Sequence, residues 1–172
     1  PQIWKIASIV AVSVDDNPIG AFALADSLKE DSLQAIQRLH QHNIDVVIMS
    51  GDQQSVVDYV AQQVGVKTAR GNCSPRDKAA YIETLRQQGK VVAMVGDGVN
   101  DAPALAMANV SFAMKSGSDV AEQTASATLM QHSVDQLVDG LMISRATLKN
   151  IKQNLFFALI YNVLGIPLAA LG

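Results

Sequence analysis

The residues best equipped for chemistry lie between positions 96 and 103, in the run Gly96-Asp97-Gly98-Val99-Asn100-Asp101-Ala102-Pro103. Two carboxylates with an amide between them suit a hard cation such as Mg²⁺ held beside a phosphate. The five residues before the run, Val91, Val92, Ala93, Met94 and Val95, are all apolar. An apolar run of this kind predicts a buried parallel strand. Asp97 and Asp101 then stand just past the carboxyl end of that strand, where open parallel sheets bind ligands. Glycines at 96 and 98 are expected to let the chain turn sharply and a ligand approach the backbone. The plainer alternative is an Asp-rich turn capping a helix that opens at Pro103. A cap uses one carboxylate, however, and leaves the rest of the group unexplained.

A second corner of this type is Ser50-Gly51-Asp52, which follows the apolar residues 44–49 and precedes a helical pattern. A hydroxyl and backbone amides at a helix N-terminus favour a phosphate, although Ser or Asp in that place is usually only a cap. Lys78 lies one turn into a helix opened by Ser74-Pro75. Read alone, it is a solvated surface lysine. His40, His42 and His132 form no ligand cluster with the single Cys73.

The elements that must position these residues follow from hydrophobic period and turn signals. Residues 3–14 and 19–25 read as two strands joined by an Asp-Asn-Pro turn, a hairpin at the edge of something larger. A charged stretch from Asp26 to Asp31 marks a boundary, and a helix follows with Leu33, Ile36 and Leu39 as its stripe and Asn43 at its end. Strands are then expected at 44–49, 66–69, 91–95, 110–114 and 127–130. Helices are expected from 53 to Gly65, from Pro75 to Gly89, at 102–108, at 119–125, and from Ser133 onward. Alternating strands and helices give an α/β fold, a parallel sheet with flanking helices and right-handed crossovers. In one such sheet the three polar corners share one edge.

The bulk composition agrees. The chain has 172 residues, 49% of them hydrophobic, with net charge −3. That is enough for one core-bearing domain with an appendage, and nothing points to nucleic acid as a partner. One cysteine allows no internal disulfide and fits a reducing, cytosolic setting for the soluble part. Pro1 stands where a Met would begin a whole protein, and Gly172 falls inside an apolar stretch, so the chain reads as a segment of a longer one.

Residues 155–172 carry no charge and follow Arg145, Lys149 and Lys152. The run approaches the roughly 20 residues of a bilayer-spanning helix, and its basic flank places the preceding domain on the cytoplasmic side. Asn162 within it is a functional candidate, the alternative being a helix–helix hydrogen bond.

Taken together, Ser50-Gly51-Asp52, Pro75-x-x-Lys78 and the run from Gly96 to Pro103 resemble three phosphorylation-domain motifs of P-type ATPases, within the haloacid-dehalogenase-like superfamily. Asp26-x-x-Lys29 is similar to the hinge that enters that domain, with Lys where the family often has Arg. Tyr161-Asn162 in the apolar run looks like the signature of the Cu⁺ and Ag⁺ exporters among the heavy-metal (P1B-type) branch.

The resemblance implies a haloacid-dehalogenase-like Rossmannoid sheet plus a C-terminal transmembrane helix. Residues 1–25 would be the tail of a nucleotide-binding domain, 26–146 the phosphorylation domain without its nucleophile strand, and 147–172 a linker and membrane helix. It implies that Asp97 ligates Mg²⁺ and Asp101 supports that site. Asn100, Ser50 and Gly51 would hold phosphoryl oxygens, Asp52 would position its loop, and Lys78 would neutralise the transferring group. Tyr161 and Asn162 would contribute to a membrane Cu⁺ site, although a soft ion also wants thiolate or thioether ligands. ATP is the implied co-substrate. The implied partners are the rest of the ATPase, the lipid bilayer and a copper chaperone, and the implied location is a membrane, the plasma or inner membrane in a bacterium. Neither the phosphorylated Asp-Lys-Thr-Gly-Thr motif nor a Cys-Pro-Cys occurs in the chain, so the segment alone is expected to be inactive. The alternatives are a zinc or cadmium exporter, a soluble phosphatase of the superfamily, and a non-catalytic fragment.

Overall fold

Two residues in the left-handed region, Asp15 (φ 48°) and Asp16 (φ 62°), fold β1 (Ser8–Val14) back on β2 (Asn17–Leu24) in the computed structural model. Positive φ at both turn residues is the two-residue hairpin geometry that matches strand twist. The strands pair antiparallel from Ser8↔Leu24 to Val14↔Asn17, with a bulge at Val12/Ser13. Val10, Val14, Ile19 and Phe22 stay exposed, as expected of an edge piece. The structure describes residues 7–24, 27–115, 119–130 and 133–172. Asp26 of the expected hinge and His132 lie outside them. Lys29 is inside, and its carbonyl accepts the Ser32 N–H at 3.1 Å where the next helix begins.

That helix, α1 (Ser32–Gln41), buries Ala35, Ile36 and Leu39. Leu33, expected in the stripe, is 42% exposed, and Ala35 takes its place on the buried face. Asn43 leaves the helix at φ 57°, as its short polar side chain permits. β3 (Val47–Met49) and β4 (Thr68–Arg70) flank α2 (Gln54–Val64), which Gly65 ends at φ 75°. α3 (Pro75–Gln87) opens with a full capping box: Ser74 Oγ accepts the Asp77 N–H at 3.2 Å, and the Ser74 N–H donates to Asp77 Oδ2 at 2.8 Å.

β5 (Ala93–Gly96) runs into a 3-10 turn (Val99–Asp101) and then α4 (Ala102–Met107). β6 (Val110–Met114), α5 (Asp119–Thr124) and β7 (Ala127–Leu129) complete the alternation. Leu105, Ala113 and Ala121 form a buried cluster, with Met94 and Ala125 against it. Alanines at the contact let helices approach the sheet closely. Ser111 and Ser126 close the ladder beside them, each N–H donating to the other's hydroxyl at 3.2 and 3.0 Å.

The strand pairing refines the expected single sheet. β3 and β4 form one parallel pair, and β5, β6 and β7 form a separate parallel sheet in that order. β3 and β5 each pair on one side only among the described residues. β5 is also shorter than the apolar run, and Val91 is 85% exposed. The α/β class holds, and among the described residues β5 pairs only with β6 and leaves its other side open.

The chain divides into two compact units, Pro1–Asp135 and Gln136–Gly172. In the first, α1 is tied to residues 133–135: Asp31 accepts the Ser133 hydroxyl, and Arg38 pairs with Asp135. The second is one helix. α6 (Val134–Leu171) continues unbroken past position 147, where a linker was expected, and through Pro167. At 38 residues it is about 57 Å long. It is long and apolar enough to cross a membrane.

Truncating the centre of the buried cluster measures how much of the first unit it holds. Leu105, 1% exposed, should cost about 2–5 kcal/mol as Leu105→Ala, read as a lowered denaturant midpoint with unchanged slope.

Candidate functional site

Asp101 closes the 3-10 turn that follows β5 and is 8% exposed, one of two buried polar residues described. Its carboxylate is fully engaged. Lys78 Nζ donates to Oδ1 at 2.8 Å, and the Asp97 N–H donates to Oδ2 at 3.4 Å. Lys78 reaches it because the capping box fixes the start of α3 and Lys78 is the fourth residue of that helix. Its side chain is only 14% exposed, so the surface-lysine reading is overturned: the carboxylate partner is what lets an ammonium withdraw this far from solvent.

Gly96 makes the approach possible. A Cβ built there would lie 2.6 Å from Asp101 Cβ and 2.8 Å from Oδ2. Its role is therefore close packing. The turn needs no special backbone freedom, since neither Gly96 nor Gly98 has positive φ. Gly98 has ordinary space around it. Asp97 and Asn100 are exposed at the same corner.

The other corner is built around loop hydrogen bonds. Ser50 Oγ donates to Asp52 Oδ2 at 2.7 Å and accepts the Asp52 N–H at 3.2 Å. The Ser50 carbonyl accepts the Cys73 N–H at 2.9 Å, and the Asp52 carbonyl accepts the Asn72 N–H at 2.7 Å. Gln54, absent from the sequence-based candidates, receives the Gly71 N–H on Oε1 at 2.7 Å. Gly71 must be glycine, since a Cβ would meet Gln54 Cα at 2.6 Å. No sequence period marks Gln54; the signal available was a glycine three residues before the Ser74 cap.

The two corners are thus joined through one segment. Asn72 and Cys73 bond back to Asp52 and Ser50, Ser74 caps α3, and α3 delivers Lys78 to Asp101. Asp101 joins Lys78, through its ammonium, to Asp97, through its backbone N–H. Ser50, Gly51 and Asp52 reach that group only through the loop.

A magnesium ion fits these residues in part. The described residues contain no group of three or more carboxylates, histidines or cysteines. Asp97 is free to coordinate, while both oxygens of Asp101 are occupied. Mg²⁺ takes one or two protein carboxylates and completes its shell with water and phosphate oxygens, so the set suits a cation that arrives with a phosphate. Tyr161 and Asn162 lie on α6, both exposed. A phenol and an amide alone do not make a site for a soft ion.

Known proteins resemble the chain along nearly its whole length. A model of haloacid dehalogenase-like hydrolases matches residues 3–109. A probable cation-transporting ATPase of Haemophilus influenzae is 78% identical over 99% of the chain, which covers 24% of that protein. A copper-exporting P-type ATPase of Bacillus subtilis is 44% identical over 96% of the chain and 21% of its own length. The chain therefore spans about a quarter of the length of these curated relatives. A crystal structure of a zinc-transporting PIB-type ATPase in an E2.Pi state superposes with TM-score 0.82 at 35% identity, covering 94% of this chain and 28% of that one.

The ion pair is the first target for mutation. Lys78→Met leaves a buried carboxylate unpaired and should cost about 3–5 kcal/mol, whereas Lys78→Met with Asp101→Leu should recover much of that loss; chemical denaturation of the three proteins tests it. A pH dependence follows from the α3 cap. Hydrogen bonds from the Ser74 hydroxyl, then its backbone N–H, hold the Asp77 carboxyl below its ordinary range. A depressed carboxylate stabilises the fold fully above its unfolded pKa, and that contribution disappears as pH falls through the folded value. The stability gap between the native chain and Asp77→Asn should therefore be constant from neutral pH down to the ordinary Asp range and close below it.

Proposed function

Because the chain belongs to the haloacid dehalogenase-like hydrolase family, we propose that it supplies one side of a phosphoryl-transfer site in a P-type heavy-metal cation-transporting ATPase. The observation that carries the reading is the buried Lys78–Asp101 pair at a strand end with exposed Asp97 beside it. Phosphoryl transfer needs positioning and charge neutralisation more than covalent chemistry from the protein.

In this reading Asp97 holds Mg²⁺, and Asp101 fixes the loop from beneath by accepting the Asp97 N–H. Lys78 keeps a positive charge at the corner, held in place by Asp101. Asn100 and the Gly51 backbone offer donors to phosphoryl oxygens, and the Ser50 hydroxyl joins them by turning away from Asp52, which holds it until then. A bound Mg²⁺ would supply charge neutralisation on the phosphate. The acceptor aspartate belongs to a part of the protein outside these residues, as do the ATP site and most of the metal path. ATP hydrolysis is coupled to ion movement in the whole protein, which sits in a membrane with this catalytic unit on the cytoplasmic side. The hinge role of Asp26 and Lys29 belongs to the same proposal.

For the ion, we favour Cu⁺. Support comes from Tyr161-Asn162 and from the B. subtilis relative, named as a copper exporter. Zinc is the second reading, supported by the zinc-transporting structure that superposes along nearly the whole chain. A copper chaperone is a proposed partner on the first reading.

The full-length protein in vesicles tests both levels. Asp97→Ala should lower metal-stimulated ATP hydrolysis at least about 100-fold with the fold retained. Undiminished turnover in that variant would remove Asp97 from the mechanism. Stimulation by Zn²⁺ and not by Cu⁺ under reducing conditions would select the second reading.

A further inference from the structure

Beyond Asp139 the chain contains three basic residues and no acidic one. All three, Arg145, Lys149 and Lys152, lie on α6 at spacings of four and three. Such spacing stacks them within about 60° of one helix face over about 10 Å. Asp139 lies about 120° away around the same helix. The three are exposed, and none pairs with a carboxylate among the described residues. Together with Leu148, Gln153 and Phe156 they line a shallow groove of about 490 Å³.

The position of the stripe matters as much as its charge. Lys152 is the last charged residue of the chain, and Phe156, one turn later on the same face, is the second residue of the apolar run. Long basic side chains can lay their methylenes along apolar surface and extend their charge outward. A face that is cationic for two turns and apolar from then on matches the boundary between headgroups and acyl chains.

We propose that Arg145, Lys149 and Lys152 form a binding surface for anionic lipid headgroups of the cytoplasmic leaflet. It rests on the reading of α6 as a membrane-spanning helix. Charge complementarity selects the occupant: three cations within two turns attract lipid phosphates that lack a compensating choline or ethanolamine. The surface would fix the depth of α6 and make the protein sensitive to the anionic lipid content of its membrane.

Native mass spectrometry of the full-length protein, titrated with phosphatidylglycerol and with phosphatidylcholine, tests this. Phosphatidylglycerol should bind preferentially, and the preference should weaken as salt rises. Neutralising one basic residue should lower its affinity about five-fold, and Arg145→Gln/Lys149→Gln/Lys152→Gln together about 100-fold. Lys149→Arg/Lys152→Arg should retain it, which guards against a folding defect, and the surface control Lys67→Gln/Lys90→Gln should leave it unchanged. A triple variant that keeps its preference, or a control that loses it equally, overturns the proposal. Water-accessible labelling along residues 155–172 in vesicles separates the two levels. Full labelling would refute the membrane-spanning reading itself, while protection without lipid preference would overturn only this surface.

Discussion

A lysine and an aspartate largely withdrawn from solvent against each other hold the corner after β5 together. Burying either charge alone would cost several kcal/mol, so each residue is in place only because the other is. Lys78 arrives from α3 and Asp101 from the turn after β5, and their contact at 2.8 Å locks one helix to the end of one strand. Other features follow from that contact. Gly96 has no side chain because Asp101 occupies the space. Ser74 and Asp77 cap α3 so that Lys78 projects from a fixed first turn. Asn72 and Cys73 anchor the same helix start to Asp52 and Ser50. A charge pair largely removed from water is little screened, so the corner is held firmly.

The parallel strands are in two sets, β3-β4 and β5-β6-β7, each with an edge that pairs with nothing described here. This explains a mismatch between composition and burial. Residues 91–95 are as apolar as a central strand, yet Val91 and Ala93 are exposed and Met94 and Val95 only half-buried. Apolar composition records the environment a strand is suited to, and β5 is suited to neighbours on both sides. The exposed face of the β1-β2 hairpin has the same character. Both agree with a chain that covers about a quarter of its relatives' length.

Much was legible in the sequence because it depends on local rules. Glycine past a helix end, serine and proline at a helix start, and a two-residue turn flanked by apolar strands each have one good backbone solution, and α2, α3 and the hairpin follow it. The Gly-Asp-Gly-x-Asn-Asp run stood out as a polar corner between a strand and a helix, and the structure places it there. Leu33 was misplaced because a stripe defined by spacing leaves its rotation uncertain by one position, and the small Ala35 fits the buried face. Lys78 was misjudged alone because nothing in its neighbours reveals a partner 23 residues away.

The sequence by itself therefore determined the order of elements, the α/β class, the polar corners and the long apolar helix, all consequences of period, turn chemistry and charge. Only the tertiary structure decided that Lys78 is largely withdrawn from solvent, that Asp101 pairs with it, and that Asp97 is left exposed. It also decided that Gly96 and Gly71 serve close packing, and that the strands divide into two sets. These depend on which distant residues meet, and pairing across the chain is set by the space the whole fold leaves, which no local pattern encodes.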